Sequence, residues 1–376
     1  MNNRSLQRVS RRSVLGAGLF LGTSWALKSC NASAPQGGAT APAAGGGAAA
    51  GDVAGDLVVA SFPGTTDSLF REALAPVVAE KTGVTISSQP LLAFEQIARV
   101  KASPDAPPFD VLMLDDGQNA VALAEDLIQP FPIDKSPNSK DVNPAFLSDQ
   151  GFAPIFYAQG IVLAYNTDKV KTPPTSWEVM LDPNLDAQLG LVSLNSILGT
   201  SFMVELAKVL GGGEDNIEPA FKAVAEMLPR VNGVAANPGA LLTLFQQGEV
   251  DIGPMWHNDV LTLAERGVPV AIAKLDSGIA AARYSLNIVK NPTAGLDRAA
   301  AYVDAMLSPE AQAKVVGAPY FYIPSNTTVE IPAQLTEALG IQSIDDFIAM
   351  AHNLDWPTIN PQRAEWIERF NQTVQS

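Results

Sequence analysis

The sequence is most informative about the fold at Phe109-Asp110-Val111-Leu112-Met113-Leu114-Asp115-Asp116-Gly117. This stretch begins as a short apolar run and ends in two adjacent carboxylates and a glycine. Continuous apolar residues from Val111 to Leu114 are typical of a strand that is covered on both faces of its sheet. Ligands of open α/β sheets bind just beyond the carboxyl ends of such strands. The stretch therefore predicts a buried strand that leads into a ligand site, with Asp115 and Asp116 as candidate ligand contacts.

The surrounding sequence alternates between strand and helix patterns. Period-2 or apolar runs predict strands at 56–61, 84–88 and 109–114, and helical spacing predicts helices at 67–81 and 92–102. A β-α-β-α-β run of this kind indicates a parallel sheet with right-handed crossovers. A second β/α cluster occupies about 165–275, and the sequence after it could return to the first cluster. Such a path predicts an α/β protein of two lobes, with crossover strands and a cleft between them.

Composition excludes several functional classes. The 376 residues carry a formal net charge of −15, which argues against nucleic acid or an anionic membrane surface as a partner. The single cysteine and the two histidines leave no set of ligands for a zinc or histidine-rich metal site. The sequence contains no Gly-x-Ser-x-Gly, His-Glu-x-x-His or phosphate-cradling glycine motif. We therefore expect no enzyme, no cofactor and no metal.

The amino terminus has the pattern of an export address. Residues 1–30 combine a positively charged start with an apolar run, and Ser10-Arg11-Arg12-Ser13 resembles a twin-arginine signal. Leu27-Lys28-Ser29-Cys30 resembles a bacterial lipoprotein box, with Lys28 as an atypical residue, so Cys30 is a candidate lipidation site. The alternative is a plain export signal with an incidental cysteine. Residues 31–55 are rich in Ala and Gly and predict a flexible linker. We expect a protein in the periplasm or on the outer face of the cytoplasmic membrane.

The order and spacing of several segments resemble the bacterial extracellular solute-binding proteins of ABC importers, in the polyamine/iron-type branch. The resemblance is carried by Leu57 to Gly64, Phe70 to Thr85, Phe109-Asp110-Val111, Gly160 to Asn166, Ser176-Trp177, Gly248 to Asp251 and Pro319 to Asn326. It implies a type II periplasmic-binding fold of two lobes, each a sheet flanked by helices. The implied lobes are 56–160 with 277–376 and 161–276. Also implied are hinge closure around a small solute, docking to a membrane permease and a monomeric state.

Four candidate contacts follow predicted strands, where this fold places its ligand. Phe62 and Thr65 lie in the loop after the first strand, and Trp256 and Asp259 follow the strand-like run 250–255. Trp256 could stack on an alkylammonium group, or it could belong to the core. Asp259 could pair with an amine, or it could cap the following helix.

Two further groups complete the predicted site. Tyr320 and Tyr322 alternate along an aromatic loop and could present one phenolic face, or pack beneath the carboxy-terminal helices. Ser196, at a predicted helix start, could bind an anion or simply cap the helix. Asp115 could likewise cap the helix that follows it, through a capping box with Gln118. This favours Asp115 as the cap and Asp116 as the ligand contact.

Carboxylates and aromatic residues on an acidic protein favour a cationic solute, and a polyamine of the spermidine/putrescine type fits best. The alternative solutes are ferric iron and an anion or zwitterion such as an aminophosphonate. Iron-binding members of the resembled family carry two adjacent tyrosines, whereas this chain has Tyr320-Phe321-Tyr322. An arginine facing the 196–201 helix start would favour the anion or zwitterion, but no arginine can be placed there from the sequence.

Overall fold

The computed structural model describes residues 53–148 and 150–375, and the predicted signal and Cys30 lie outside them. The strands are β1 Gly55–Ser61, β2 Val84–Pro90, β3 Val111–Asp115, β4 Ile155–Asn166, β5 Leu189–Val192, β6 Val231–Ala235, β7 Ile252–Trp256, β8 Val270–Ile272, β9 Ile279–Ile288, β10 Ile323–Pro324 and β11 Ala351–Asn353. The helices are α1 Thr65–Ser68, α2 Ala75–Thr82, α3 Ala93–Ala102, α4 Asp116–Ala124, α5 Ile197–Val209, α6 Glu218–Met227, α7 Pro238–Gln247, α8 His257–Glu265, α9 Leu296–Met306, α10 Pro309–Val316, α11 Ala333–Leu339, α12 Ile344–Met350 and α13 Trp356–Gln375. A π-helical segment, Leu69–Leu74, joins α1 to α2.

The main path of hydrogen-bonded strands runs β2-β1-β3-β9-β4-β7-β5-β6. We call β2, β1, β3 and β9 the β1 side, and β7, β5 and β6 the β5 side. Strand β1 is parallel to β2 and β3, as the β-α-β-α-β pattern of 56–114 predicted. Strand β5 is likewise parallel to β6 and β7, although the sequence did not predict β6. Strand β3 is wholly buried, with residues 111–114 at 0% exposure, which confirms the prediction of a strand covered on both faces.

The long strand β4 connects the two sides, and its partners change in the middle. Residues 155–161 pair with β9, whereas residues 161–165 pair with β7, so only Ile161 belongs to both ladders. The preceding residue, Gly160, donates its backbone N–H to Nδ1 of the buried His257 at 2.8 Å. A Cβ atom at Gly160 would lie 2.6 Å from a methyl carbon of Ile279. Close packing at the change of partner therefore requires glycine.

Helices cover the sheet and supply the remaining core. The carboxy-terminal helix α13 turns an apolar stripe inward, with Trp356, Ile359, Trp366 and Phe370 all buried. Their spacing of three, seven and four residues is that of one face of a helix. Within the described residues, no helix combines the length and hydropathy needed to cross a membrane.

Candidate functional site

A cleft opens where loops from the β1 side meet loops from the β5 side. The empty space in and around it is about 540 Å³, which includes open solvent at its mouth. Of the residues predicted to contact a ligand, the cleft is lined by Phe62, Thr65, Asp115, Ser196, Trp256, Asp259 and Tyr322. These seven residues come from five separate segments of the chain, so the fold brings most of the predicted site together in one place.

Asp115 is both a helix cap and a wall of the cleft. It is the last residue of β3, and its Oδ1 accepts the backbone N–H of Gln118 at 3.0 Å, which confirms the predicted cap of α4. Only 3% of the residue is exposed. Burial raises the pKa of Asp115 to about 6, although the positive charge of Arg363 opposes the change. The cap thus holds a carboxylate in the cleft that is easier to ionise when a cation lies beside it.

The assignment of Asp116 to the cleft needs correction, because its carboxylate is turned to the other side and bound there by Arg283. The Asp116 carboxylate accepts the backbone N–H of Arg283 at 3.1 Å, and it forms an ion pair with the guanidinium, also at 3.1 Å. Asp116 is not part of the cleft lining. Since Arg283 precedes Tyr284, the partner of Asp115 in the β3–β9 ladder, the pair fastens the two strands beneath the cleft.

Asp259 contacts the opposite wall of the cleft. Its Oδ1 accepts the hydroxyl of Thr65 at 2.7 Å, and Asn258 donates to the same oxygen at 3.2 Å. Asp259 does not cap α8, whose N-cap residue is Trp256. With the carboxylate only 4% exposed, burial raises the pKa of Asp259 to about 7, while the bond from Thr65 opposes the change.

A backbone contact lies beside this hydrogen bond. A Cβ atom at Gly64, after β1, would be 2.9 Å from the Cα of Gly239 in α7. Gly64 also has a φ of +91°, which a residue with a side chain rarely adopts. The two edges of the cleft, which we call its lips, therefore touch. Gly64 meets Gly239, and Thr65 meets Asp259.

Aromatic rings line the cleft between the two carboxylates. Tyr284 makes edge-to-face contacts with Phe62 and Trp256, at centroid distances of 5.3 and 6.3 Å. Tyr322 stacks on Tyr157 at 4.1 Å, and both hydroxyls bond to the Thr66 hydroxyl. Burial raises the pKa of Tyr284 and Tyr322 well above its usual range, so neutral phenols face the cleft.

The predicted phenolic face of the 319–324 loop is not formed. The Tyr320 hydroxyl donates to the carbonyl of Ser68, away from the cleft, and only Tyr322 lines the cleft. The reason lies in Phe321, whose φ of +55° breaks the extended backbone that the alternation requires. Two adjacent phenol ligands for ferric iron are therefore not supplied by this loop. Among the described residues, no group of three His, Cys, Asp or Glu side chains is arranged to hold a metal ion.

The start of α5 carries a charged partner that the sequence reasoning missed. Ser196 is the N-cap, and its hydroxyl oxygen accepts the N–H of Gly199 at 3.1 Å. Arg363 of α13 reaches this point, where its Nε donates to the Thr200 hydroxyl at 3.0 Å and its Nη2 donates to the carbonyl of Asn195 at 3.0 Å. Arg363 is 7% exposed and lines the cleft. The sequence does contain one signal for it: Arg363 is a charged residue on the apolar stripe of α13.

The remaining polar wall also escaped prediction. Gln118 and Gln159 line the cleft, and Gln159 donates to the side chain of Asn258 at 2.6 Å. Asn258 in turn donates to Asp259. The cleft thus combines two buried carboxylates, a ring of aromatic side chains, neutral amides and one buried arginine, which suits a small polar solute that carries charge.

Comparison with known proteins gives the fold class first. A solved structure described as a spermidine/putrescine ABC transporter from Listeria monocytogenes has a TM-score of 0.70 and 15% sequence identity to this chain. The match covers 85% of this chain and 98% of that one. The binding protein AgtB of A. tumefaciens R10, solved with agropinic acid, also has a TM-score of 0.70, at 18% identity over 85% of this chain and 99% of its own. A periplasmic thiamin-binding protein also has a TM-score of 0.70, with 18% sequence identity. The match covers 86% of this chain and 97% of that protein. No match was found among curated proteins. The fold is that of the type II periplasmic binding proteins, as the family resemblance implied.

The family is shown by a sequence match. Residues 73–342 match the model of the bacterial extracellular solute-binding proteins, which is more than half of the chain. The chain belongs to this family. The resemblance noted from the sequence is thereby confirmed at the level of the family. The structural neighbours bind chemically different solutes, so the fold does not fix the solute.

Proposed function

We propose that this protein is the solute-binding component of an ABC importer and that its cleft captures a small solute with at least one protonated amine. The observation that carries the proposal is the pair of buried carboxylates, Asp115 and Asp259, on opposite sides of the cleft. Each has a raised pKa because it is desolvated. An ammonium group placed between them would supply the missing countercharge through charge-assisted hydrogen bonds.

The aromatic side chains support the same solute class. Trp256 and Tyr284 present ring surface to the cleft, and cations are attracted to the faces of such rings. Polyamines such as putrescine and spermidine are one group of solutes with this chemistry. Amines that also carry an acid, such as aminophosphonates, are a second group. Ferric iron has less support, because the part of the chain that the structure describes turns neutral phenols and only two carboxylates to the cleft.

The division into lobes 56–160 with 277–376 and 161–276 remains part of the proposal. It is supported by the change of strand partners at Gly160 and Ile161 and by a cleft lined from both sides of the sheet. In this proposal the crossover strands β4 and β9 act as the hinge. Thr65 and Asp259 then meet when the lobes close, and the closed protein, as a monomer, docks to a membrane permease.

The location of the protein follows from its family, whose members act outside the cytoplasm. We further propose export by the twin-arginine route and lipidation of Cys30, which would hold the protein at the outer face of the membrane. Mass spectrometry of the exported amino terminus tests the second point. A diacylglyceryl adduct on Cys30 supports it, and cleavage elsewhere with an unmodified cysteine contradicts it.

The function is tested by the thermal stability of the mature chain in a panel of solutes. A solute at roughly 100 times its dissociation constant adds about 2.7 kcal/mol to the free energy of unfolding. We expect amines to raise the midpoint and to be recovered chemically unchanged after incubation. A midpoint raised only by ferric salts, or by solutes without an amine, would refute the amine proposal. Turnover of the bound solute would refute the role as a binding protein.

A further inference from the structure

The start of α5 leaves backbone donors without partners at the cleft. The first N–H groups of a helix have no acceptor within the helix. Here Ser196 caps Gly199, and Thr200 bonds back to the carbonyl of Ser196. Over the described residues, Ile197 and Leu198 have no hydrogen-bond acceptor for their backbone N–H groups. Ile197 lines the cleft, so this end of a 13-residue helix faces the solute site.

Arg363 adds an unpartnered donor at the same place. Its Nε and Nη2 atoms bond to the Thr200 hydroxyl and to the carbonyls of Leu194 and Asn195. In the described part of the chain, Nη1 has no such acceptor, although the residue is only 7% exposed. A guanidinium stays protonated even when buried. Its two remaining N–H groups on Nη1 are not among the fully buried atoms, so they are open to the cleft and available to a partner that the protein itself does not supply.

Charge balance in the cleft leads to the same conclusion. Among the described residues, the cleft lining contains two carboxylates, Asp115 and Asp259, and one guanidinium, Arg363, so its net charge is −1 when both carboxylates are ionised. Asp115 lies near enough to Arg363 for their charges to interact, yet the two form no ion pair within 4 Å. A solute with two or more ammonium groups would meet a buried positive charge that repels one of them. A solute with one cationic and one anionic group would satisfy both ends.

We infer that the cleft binds a zwitterionic solute, with its amine between Asp115 and Asp259 and its carboxylate or phosphonate on Nη1 of Arg363 and the first N–H groups of α5. This inference rests on the proposed function and names the class of solute. The anion site combines a helix amino terminus, which favours negative charge, with a buried arginine whose flat face of donors suits carboxylate and phosphonate oxygens. Arg363 thus determines which amines the cleft accepts.

Calorimetric titration of the mature chain tests the inference without any variant. The probes are an unbranched series of ω-amino acids (glycine, β-alanine, γ-aminobutyrate, δ-aminovalerate), an aminoalkylphosphonate, n-butylamine, butyrate, putrescine and spermidine. We expect the best zwitterion to bind about 10- to 100-fold more tightly than the amine or the acid of the same length, since each probe lacking one charge leaves a buried partner unpaired. The carboxylate and phosphonate probes then show which acid the site prefers.

The other outcomes of the titration decide between the inference and the proposed function. If putrescine or spermidine binds more tightly than every zwitterion, the inference is overturned and the proposed amine importer stands. If butyrate alone binds as tightly as the zwitterion, both the inference and the amine proposal fail. If no probe binds, both fail as well.

The variant Arg363→Gln tests the role of the side chain, with Arg369→Gln as the matched control. Arg369 lies on the same helix but is ion-paired with Glu218 on the surface. In Arg363→Gln we expect the preference for the zwitterion over n-butylamine to fall about 10-fold, leaving only the part that the first N–H groups of α5 supply, while binding of n-butylamine persists. The control keeps the preference. A folded Arg363→Gln protein with an unchanged preference would overturn the inference, and if that variant does not fold, the titrations of the native chain decide.

Discussion

The substitution Asp259→Asn should make the ligand-free protein more stable at neutral and alkaline pH, even though it removes part of the proposed site. The carboxylate is 4% exposed, and burial raises its pKa from 3.8 to about 7. Since one pKa unit corresponds to about 1.4 kcal/mol, holding this group ionised in the folded protein costs about 4 kcal/mol. Side chains that bind a ligand are often unfavourable for stability in this way.

The ionisation of Asp259 makes the free energy of unfolding depend on pH. The folded-state pKa lies above the unfolded-state value, so the folded protein binds more protons between about pH 4 and pH 7, and stability falls as the pH rises through this window. Below about pH 4 the penalty is absent, at pH 5 it is about 2 kcal/mol, and above pH 7 it is complete at about 4 kcal/mol. The neutral asparagine has no such dependence.

The new amide group introduces a cost that does not change with pH. Asparagine keeps the oxygen that accepts from Thr65, but its N–H₂ group lacks an acceptor, which costs about 1–3 kcal/mol. The net gain at pH 8 is therefore about 1–3 kcal/mol, and the advantage of the variant grows by about 3 kcal/mol between pH 5 and pH 8. Urea unfolding at pH 5, 6, 7 and 8, followed by tryptophan fluorescence, measures both quantities. Asp168→Asn is the control, because that side chain is 74% exposed. An advantage that is the same at pH 5 and pH 8 would refute the argument.

Three further predictions concern binding. First, Asp115→Asn should weaken the binding of the tightest amine by about 10-fold or more, because a charge-assisted hydrogen bond is lost. The control Asp116→Asn, one residue away and outside the cleft, should leave the affinity within about twofold. Calorimetry on both variants checks this, and equal losses of affinity would contradict it. Second, amine affinity should rise from pH 5 to pH 8, and binding should release protons, because Asp115 and Asp259, with pKa values of about 6 and about 7, must ionise to hold an ammonium group. Titrations in two buffers of different ionisation enthalpy count the released protons. An affinity that does not change with pH would count against the two aspartates. Third, Gly239→Ala should weaken binding, because its Cβ would lie 3.0 Å from the Cα of Gly64 where the lips meet. Gly248→Ala is the control for destabilisation alone, since its Cβ would meet nothing within 4 Å but its φ is positive. Full affinity in Gly239→Ala would remove the contact between the lips from the account.

The sequence was informative about the β1 side because local patterns determine it. The apolar run at Val111 to Leu114, the helical spacing on either side of it and the capping relation of Asp115 and Gln118 all appear in the structure. Loops after strands also lie where the fold was expected to place them. Phe62, Trp256 and Asp259 therefore reach one cleft from distant parts of the chain.

The details that failed depend on contacts far apart in sequence. Asp116 is turned from the cleft by Arg283, which lies 167 residues away. Tyr320 is turned away by the backbone of Phe321, whose positive φ no side-chain pattern announces. Arg363 was missed because its partners Leu194 and Asn195 are brought to it only by the packing of α13. Its place on the apolar stripe with Ile359 and Trp366 was the one local clue that a buried charge belonged there.

The central claim is that one cleft holds the amine and the acid of a single solute at two separate ends. The most direct measurement is a crystal structure of the mature chain with the tightest zwitterion from the titration series. The account predicts the ammonium group within hydrogen-bond distance of Asp115 and Asp259, and the acid on Nη1 of Arg363 and the backbone N–H of Ile197. A solute bound outside the cleft, or one lying in it with its acid remote from Arg363, would contradict the account.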